Sequence, residues 1–174
     1  MENLINNLNI YLSNLNVFYR KLQNYHWNIK GKSFFVVHAK LEEYYNEINE
    51  QIDEVAEHIL AIGGVPLATL KDYLNTTKIT EAKNEKVTCE VVFSEIVKDY
   101  NELLQDSKNI KVLADENNEY KTSALMDDII EEPIEEVGEK KEEQPEKAKN
   151  MSESENKYER VYQKRFLHDN GRSY

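Results

Sequence analysis

The sequence predicts an all-α protein: a four-helix bundle in which a long crossover joins the second helix to the third. Three observations carry this. Apolar residues make up 40% of the 174-residue chain and charged residues 32%, with only five Gly and three Pro. That profile favours a helical globular protein over a sandwich or a disordered chain. Apolar groups recur at helical period, three and four residues apart. Glycine and proline fall between these apolar rows and not inside them.

The first row runs over residues 3–27: Leu4, Leu8, Tyr11, Leu12, Leu15, Phe18, Leu22 and Tyr25. Its many Asn residues are poor helix formers, by roughly half a kcal/mol each against Ala, and packing of the stripe is expected to override them. Gly31 supplies the stop and Ser33 a cap for the next helix. The second row is Phe34, Val37, Leu41, Tyr44, Tyr45, Ile48, Ile52, Val55 and Ile59, ending at Gly63-Gly64-Val65-Pro66. About 28 residues at 1.5 Å each give roughly 42 Å.

Residues 67–86 form the crossover, where Leu67, Leu70, Tyr73 and Leu74 suggest a short amphipathic helix. A connection of this length returns the chain to the starting end of the bundle, so the third helix runs parallel to the second, as in ferritin-like folds. The third helix is predicted over about Val87 to Ala114, on Val91, Val92, Ile96, Tyr100, Leu103 and Leu104. Its later part, Asp106-Ser107-Lys108-Asn109, is weaker and could kink. The fourth starts near Asn118, carries Leu125, Met126, Ile129 and Ile130, and stops by about Glu132, because Pro133 lacks an N–H and clashes with the preceding turn.

Residues 131–149 hold eight Glu, four Lys and two Pro with almost nothing apolar, which reads as a solvated, disordered linker. A last short helix could begin at Ser152 and carry Tyr158, Val161, Tyr162 and Phe166. The chain therefore divides into a folded part, residues 1–132, and an acidic tail, residues 133–174.

Net charge is −11, and the first Lys or Arg is Arg20. An acidic chain without a basic arm lacks the footprint that DNA phosphates or anionic lipids need, and it suits a surface that attracts cations. Cys89 is the only cysteine, so no intrachain disulfide is available and a reducing compartment fits. No signal-peptide pattern opens the sequence and no apolar run approaches the roughly 18 residues needed to span a bilayer. The expectation is a soluble, cytoplasmic protein that does not engage membranes.

The stretch His26–Glu57 carries the chemistry. His26, His38, Glu42, Asp53 and Glu57 are five metal-ligand types, and two pairs, His38/Glu42 and Asp53/Glu57, are spaced i,i+4 on one predicted helix. Such pairs leave the same face. One His on an apolar helix is usually structural, but imidazole combined with carboxylate suits iron, zinc or manganese. Glu42 and Asp53 are 11 residues apart, or about 16 Å along a straight helix. Metal ligands lie about 2 Å from their ion, so the two pairs cannot close on one metal within one chain. Either they are two half-sites, or a second copy runs antiparallel and brings its Asp53/Glu57 to the first copy's His38/Glu42. A two-fold dimer would then make two identical sites. His26 can join His38 because the turn at Gly31 folds the first two helices antiparallel.

His26-Trp27-Asn28, His38 twelve residues on, an acid four later, Asp53-Glu54-Val55-Ala56-Glu57 and Ile62-Gly63-Gly64 together resemble the Dps family, the ferritin-like mini-ferritins named for protecting DNA in starved cells. The resemblance covers residues 1–132. It implies a shell of twelve four-helix subunits with a pair of di-iron ferroxidase centres at each two-fold interface. His26, His38 and the acid at 42 would come from one subunit, and Asp53 and Glu57 from its neighbour. Such centres oxidise Fe2+ with hydrogen peroxide or O2 and collect Fe3+ mineral in the cavity. Trp27 would lie near the centre, either taking up an electron or serving as a core aromatic of the interface. Three departures stand out: Glu42 replaces the family's usual Asp, His58 stands where Arg is frequent, and the fourth helix is cut short. Asp127 and Asp128 are candidates for lining an iron-entry pore.

The leading expectation is a ferroxidase and iron-storage protein. The alternatives are a DNA-binding stress protector, which the missing positive footprint disfavours, and a non-catalytic helical module that does not assemble. A conventional ferritin is disfavoured because its site uses Glu-x-x-His, and no His here follows a Glu by three residues.

Overall fold

The computed structural model describes residues 1–131. The expected acidic tail, the last short helix and the fourth helix's end near Pro133 lie outside the described residues. Among the described residues there are five helices: α1 (Glu2–Asn28), α2 (Phe34–Ala61), α3 (Leu70–Thr76), α4 (Cys89–Glu116) and α5 (Tyr120–Glu131). Two short strands, β1 (Ile29–Lys30) and β2 (Val87–Thr88), pair in parallel. The architecture is the predicted ferritin-like bundle of α1, α2, α4 and α5, with α3 inside the crossover.

The predicted apolar rows form the core. All eight residues named on α1 are buried, as are Val37, Leu41, Tyr44, Ile48, Val55 and Ile59 on α2 and Val92, Ile96 and Leu103 on α4. Val91, placed in the α4 row by sequence, is exposed instead. The short helix α3 buries none of its residues; Leu70 and Leu74 face outward.

The helix ends differ in instructive ways. Helix α1 stops at Asn28, before Gly31, because Ile29 turns to extended backbone to pair with Val87. Gly31 then takes a positive φ of 122° in the turn. Ser33 occupies the N-cap of α2, but its side chain makes no capping hydrogen bond. The double glycine does close α2. The Gly63 N–H donates to the Leu60 carbonyl and the Gly64 N–H to the Ile59 carbonyl, with Gly63 left-handed at φ 83°, the arrangement of a Schellman motif. Gly64 is needed for another reason: a Cβ there would meet methyl groups of Ile59 and Ile5 at 2.8 and 2.9 Å.

The asparagines of α1 do more than tolerate the helix. The Asn9 amide donates to the Val65 carbonyl and accepts from the Leu67 N–H at 2.8 Å. Asn14 accepts from the Lys78 N–H and the Thr77 hydroxyl, and donates to Asp106 on α4. Asn24 donates to Asn84. The crossover is thus pinned along α1 from its N-terminal half to its C-terminal end, where β1 and β2 meet. That route starts α4 beside the start of α2 and makes the two helices parallel, as predicted. At the far end the Met1 ammonium donates to Asn117, just past α4.

Helix α4 runs unbroken through residues 106–109. Asp106 and Ser107 are buried. The Asp106 carboxylate is consumed by Asn14 and Lys78, and the Ser107 hydroxyl bonds back to Leu104. A second buried group ties α1 to α4: the Lys21 ammonium, in a residue 3% exposed, lies 2.6 Å from Asp99 and 2.9 Å from Glu95. Burial pushes the Lys21 ammonium down, but its hydrogen bonds to Asp99 and Glu95 outweigh that and the net shift is up.

Candidate metal half-sites

His26 ends α1 and His38 sits in the second turn of α2, and the turn at Gly31 brings them face to face. Their rings stack with centroids 3.6 Å apart and planes 19° from parallel. Each Nδ1 lies 2.8 Å from the other residue's main-chain carbonyl oxygen. A carbonyl only accepts, so each Nδ1 must carry the proton and donate. In the neutral form of either ring the lone pair then falls on Nε2, the nitrogen that can bind a metal. Phe34 stacks on the outer side of His38 at 5.0 Å and Tyr45 meets His26 edge-on at 5.4 Å. His26 is buried, and burial holds its pKa below the ordinary 6.5, with the His38 ring lowering it further against the opposing pull of that carbonyl and Glu42.

Glu42 lies one turn beyond His38 and is exposed. Tyr45 faces it from the next turn: partial desolvation raises the Tyr45 phenol, and the Glu42 charge and hydrogen bonding raise it further. Sequence reading placed Tyr45 only in the apolar row of α2. The i+3 offset from Glu42 was the available signal for a polar role.

Asp53 and Glu57 occupy the later half of α2, exposed, on an open groove shared with Asn49, Glu50, Ile52 and Glu54. Since α2 is one 28-residue helix, they stand about 16 Å or more from Glu42. Among the described residues, no three His, Cys, Asp or Glu side chains converge to hold a metal ion within the chain. The structure brings His26 and His38 together, leaves Glu42 beside them, and keeps the Asp53/Glu57 pair apart.

Trp27, beside His26, is 58% exposed. His58 is engaged within its own chain: its Nε2 lies 2.7 Å from the Thr122 hydroxyl on α5, and burial holds its pKa down. Of the two pore candidates, Asp127 is ion-paired with Lys111 at 2.6 Å, which neutralises it, whereas Asp128 is exposed.

Comparison with known proteins shows the family and the fold. Residues 5–151 match the family described as a ferritin-like domain, a match that continues past position 132. The chain is 40% identical over 125 residues to General stress protein 20U of Bacillus subtilis (strain 168), spanning 72% of this chain and 86% of that protein. It is 41% identical over 125 residues to DNA protection during starvation protein 2 of Bacillus anthracis, spanning 72% and 85%. Among solved structures, the Dps protein of Vibrio cholerae O1, described as a member of a broad superfamily of ferritin-like diiron-carboxylate proteins, superposes with a TM-score of 0.75 at 38% identity, covering 78% of this chain and 85% of that one. No described helix is long and apolar enough to cross a membrane.

Proposed function

The chain belongs to the Dps family of ferritin-like proteins, and from this we propose that it is a cytoplasmic iron-storage ferroxidase whose di-iron centres form between two copies. One observation carries the reading. His26 and His38 each donate Nδ1–H to the other's main-chain carbonyl, which leaves both Nε2 atoms to serve a metal next to an acid, while the complementary acid pair sits on the same helix but out of reach.

His26, His38 and Glu42 of one subunit and Asp53 and Glu57 of its neighbour form the ligand set, a nitrogen and oxygen donor mixture suited to iron. Iron is the substrate: two Fe2+ each give up one electron to one hydrogen peroxide, which takes two protons and leaves as two waters. O2 is the alternative oxidant. The acid-rich face of α2 draws Fe2+ in and favours the higher charge of Fe3+. Trp27 borders the centre at the two-fold contact, and two-fold dimers build a dodecameric shell that stores the Fe3+ mineral.

The test is Fe2+ oxidation followed at 310 nm. His38→Ala combined with Asp53→Ala should abolish it; an unchanged rate sinks the assignment. The names of the relatives favour a second reading, DNA protection. A chain of net charge −11 supplies little direct attraction for phosphate, so a low-salt gel shift should show no retention, and tight retention would favour that second reading.

A further inference from the structure

We infer that Phe34 is a positioning residue of the half-site, aiming the His38 ring at the metal and favouring that ring once it carries a metal's charge; this rests on the ferroxidase reading of that site. Sequence reading placed Phe34 in the apolar row of α2, yet it is only half-buried and is not among the buried residues of that helix. Its backbone N–H donates to the Gly31 carbonyl in the turn from α1, and Phe35 meets its ring edge-on at 5.2 Å. His38 follows four residues later on α2, one turn along the same face. The Phe34 and His38 rings lie 5.0 Å apart with planes 23° from parallel. His38 is thus held between Phe34 on one face and His26, 3.6 Å away, on the other. Its Nδ1–H bond to the His26 carbonyl fixes the ring within its own plane, and the two flanking rings stop it turning out of that plane. Together these restraints aim Nε2.

Metal binding adds an electrostatic demand. An imidazole that gives its lone pair to a dication becomes electron-poor. In the proposed centre His26 and His38 do this together, and two electron-poor rings stacked at 3.6 Å repel each other. The face of an aromatic ring is negative, and it attracts positive charge within about 6 Å. Phe34, at 5.0 Å from His38, offers such a face on the side away from His26. An aliphatic side chain could fill the same space but has no such face. The attraction is small while the imidazole is neutral and grows when the metal arrives, so it favours the loaded site over the empty one.

The experiment uses the assembled full-length protein and Zn2+, a redox-silent probe, measured by titration calorimetry. Pentafluorophenylalanine at position 34 keeps the shape of the ring and reverses the sign of its face. The metal-free protein should keep its melting temperature, while Zn2+ affinity should fall by about three- to tenfold. Phe34→Leu should lose about as much, and Phe34→Tyr, which keeps the face, should stay within about twofold of the parent protein. Parent affinity in the fluorinated protein, or a loss in Phe34→Tyr equal to that in Phe34→Leu, overturns the role. His38→Ala run alongside separates the two failures: if it binds Zn2+ as tightly as the parent protein, the site reading itself is wrong.

Discussion

The separation of the two ligand pairs makes a complementation experiment decisive. Take two variants, His38→Ala and Asp53→Ala. Each should lose oxidation at 310 nm by at least about tenfold, since even outer partners of a metal ligand contribute that much. The two are then dissociated and reassembled together. In a two-fold dimer of unlike chains, one site pairs the intact His38 of one chain with the intact Asp53 of the other, and the second site carries both losses. Random pairing makes half the dimers mixed, and half the sites in those are whole, so about a quarter of all sites should work. A converse mixture sharpens the result. When the parent chain is reassembled with the doubly substituted chain in equal amounts, no mixed dimer has a whole site, so again about a quarter of the sites survive. Sites contained within one chain would leave about half. The reasoning fails if the first mixture stays at the level of its components or the second retains half its activity.

Three further outcomes follow from the buried polar links and the histidines. Lys21→Met leaves Asp99 charged in a site where burial already raises its pKa, and should destabilise by about 3–5 kcal/mol in urea unfolding; adding Asp99→Leu should recover most of that, and no recovery would mean the pair is not the cause. Asn14→Ala strands the Lys78 N–H, the Thr77 hydroxyl and one Asp106 oxygen, a loss of about 2–4 kcal/mol, read as a lower melting temperature and faster amide exchange at Lys78. His26 and His58 both sit below the usual 6.5 because burial disfavours their charged forms. Near that pH the unfolded chain takes up protons that the folded chain does not, so stability is full above it and falls as the pH drops. Melting temperature should decline from about pH 7 to 5, His58→Gln should flatten part of the decline, and a flat or rising profile in the parent protein contradicts the shifts.

Much of this molecule was legible because its rules are local. Apolar period gave the four bundle helices, the double glycine closed α2, and the length of the crossover set the direction of α4. The contact of His26 with His38 followed from one turn. What escaped depends on partners distant in sequence. Asn9 and Asn14 looked like weak helix formers because their value lies in crossover carbonyls and amides about 60 residues away. Asp106 looked like a weak point in α4 because its partners, Asn14 and Lys78, belong to other elements. Ile29 left the helix early for the same reason, since Val87 claims its backbone. The reciprocal lock of the imidazoles on main-chain carbonyls has no residue signature, because any residue type supplies a carbonyl.

The surface around the half-site supports a two-chain centre by an argument independent of ligand spacing. Trp27 and Val36, each close in sequence to a candidate ligand, are both more than half exposed. Water-exposed apolar side chains next to polar ligands form the mixed surface that a partner covers. In the proposed arrangement metal and partner are then linked. An ion that binds only the assembled pair stabilises that pair by an amount set by its concentration over its Kd, about 2.7 kcal/mol at a hundredfold excess. Zn2+ should therefore shift the dimer equilibrium of the parent protein and leave that of His38→Ala where it was. A shift of equal size in both would mean that the ion acts elsewhere on the acidic surface.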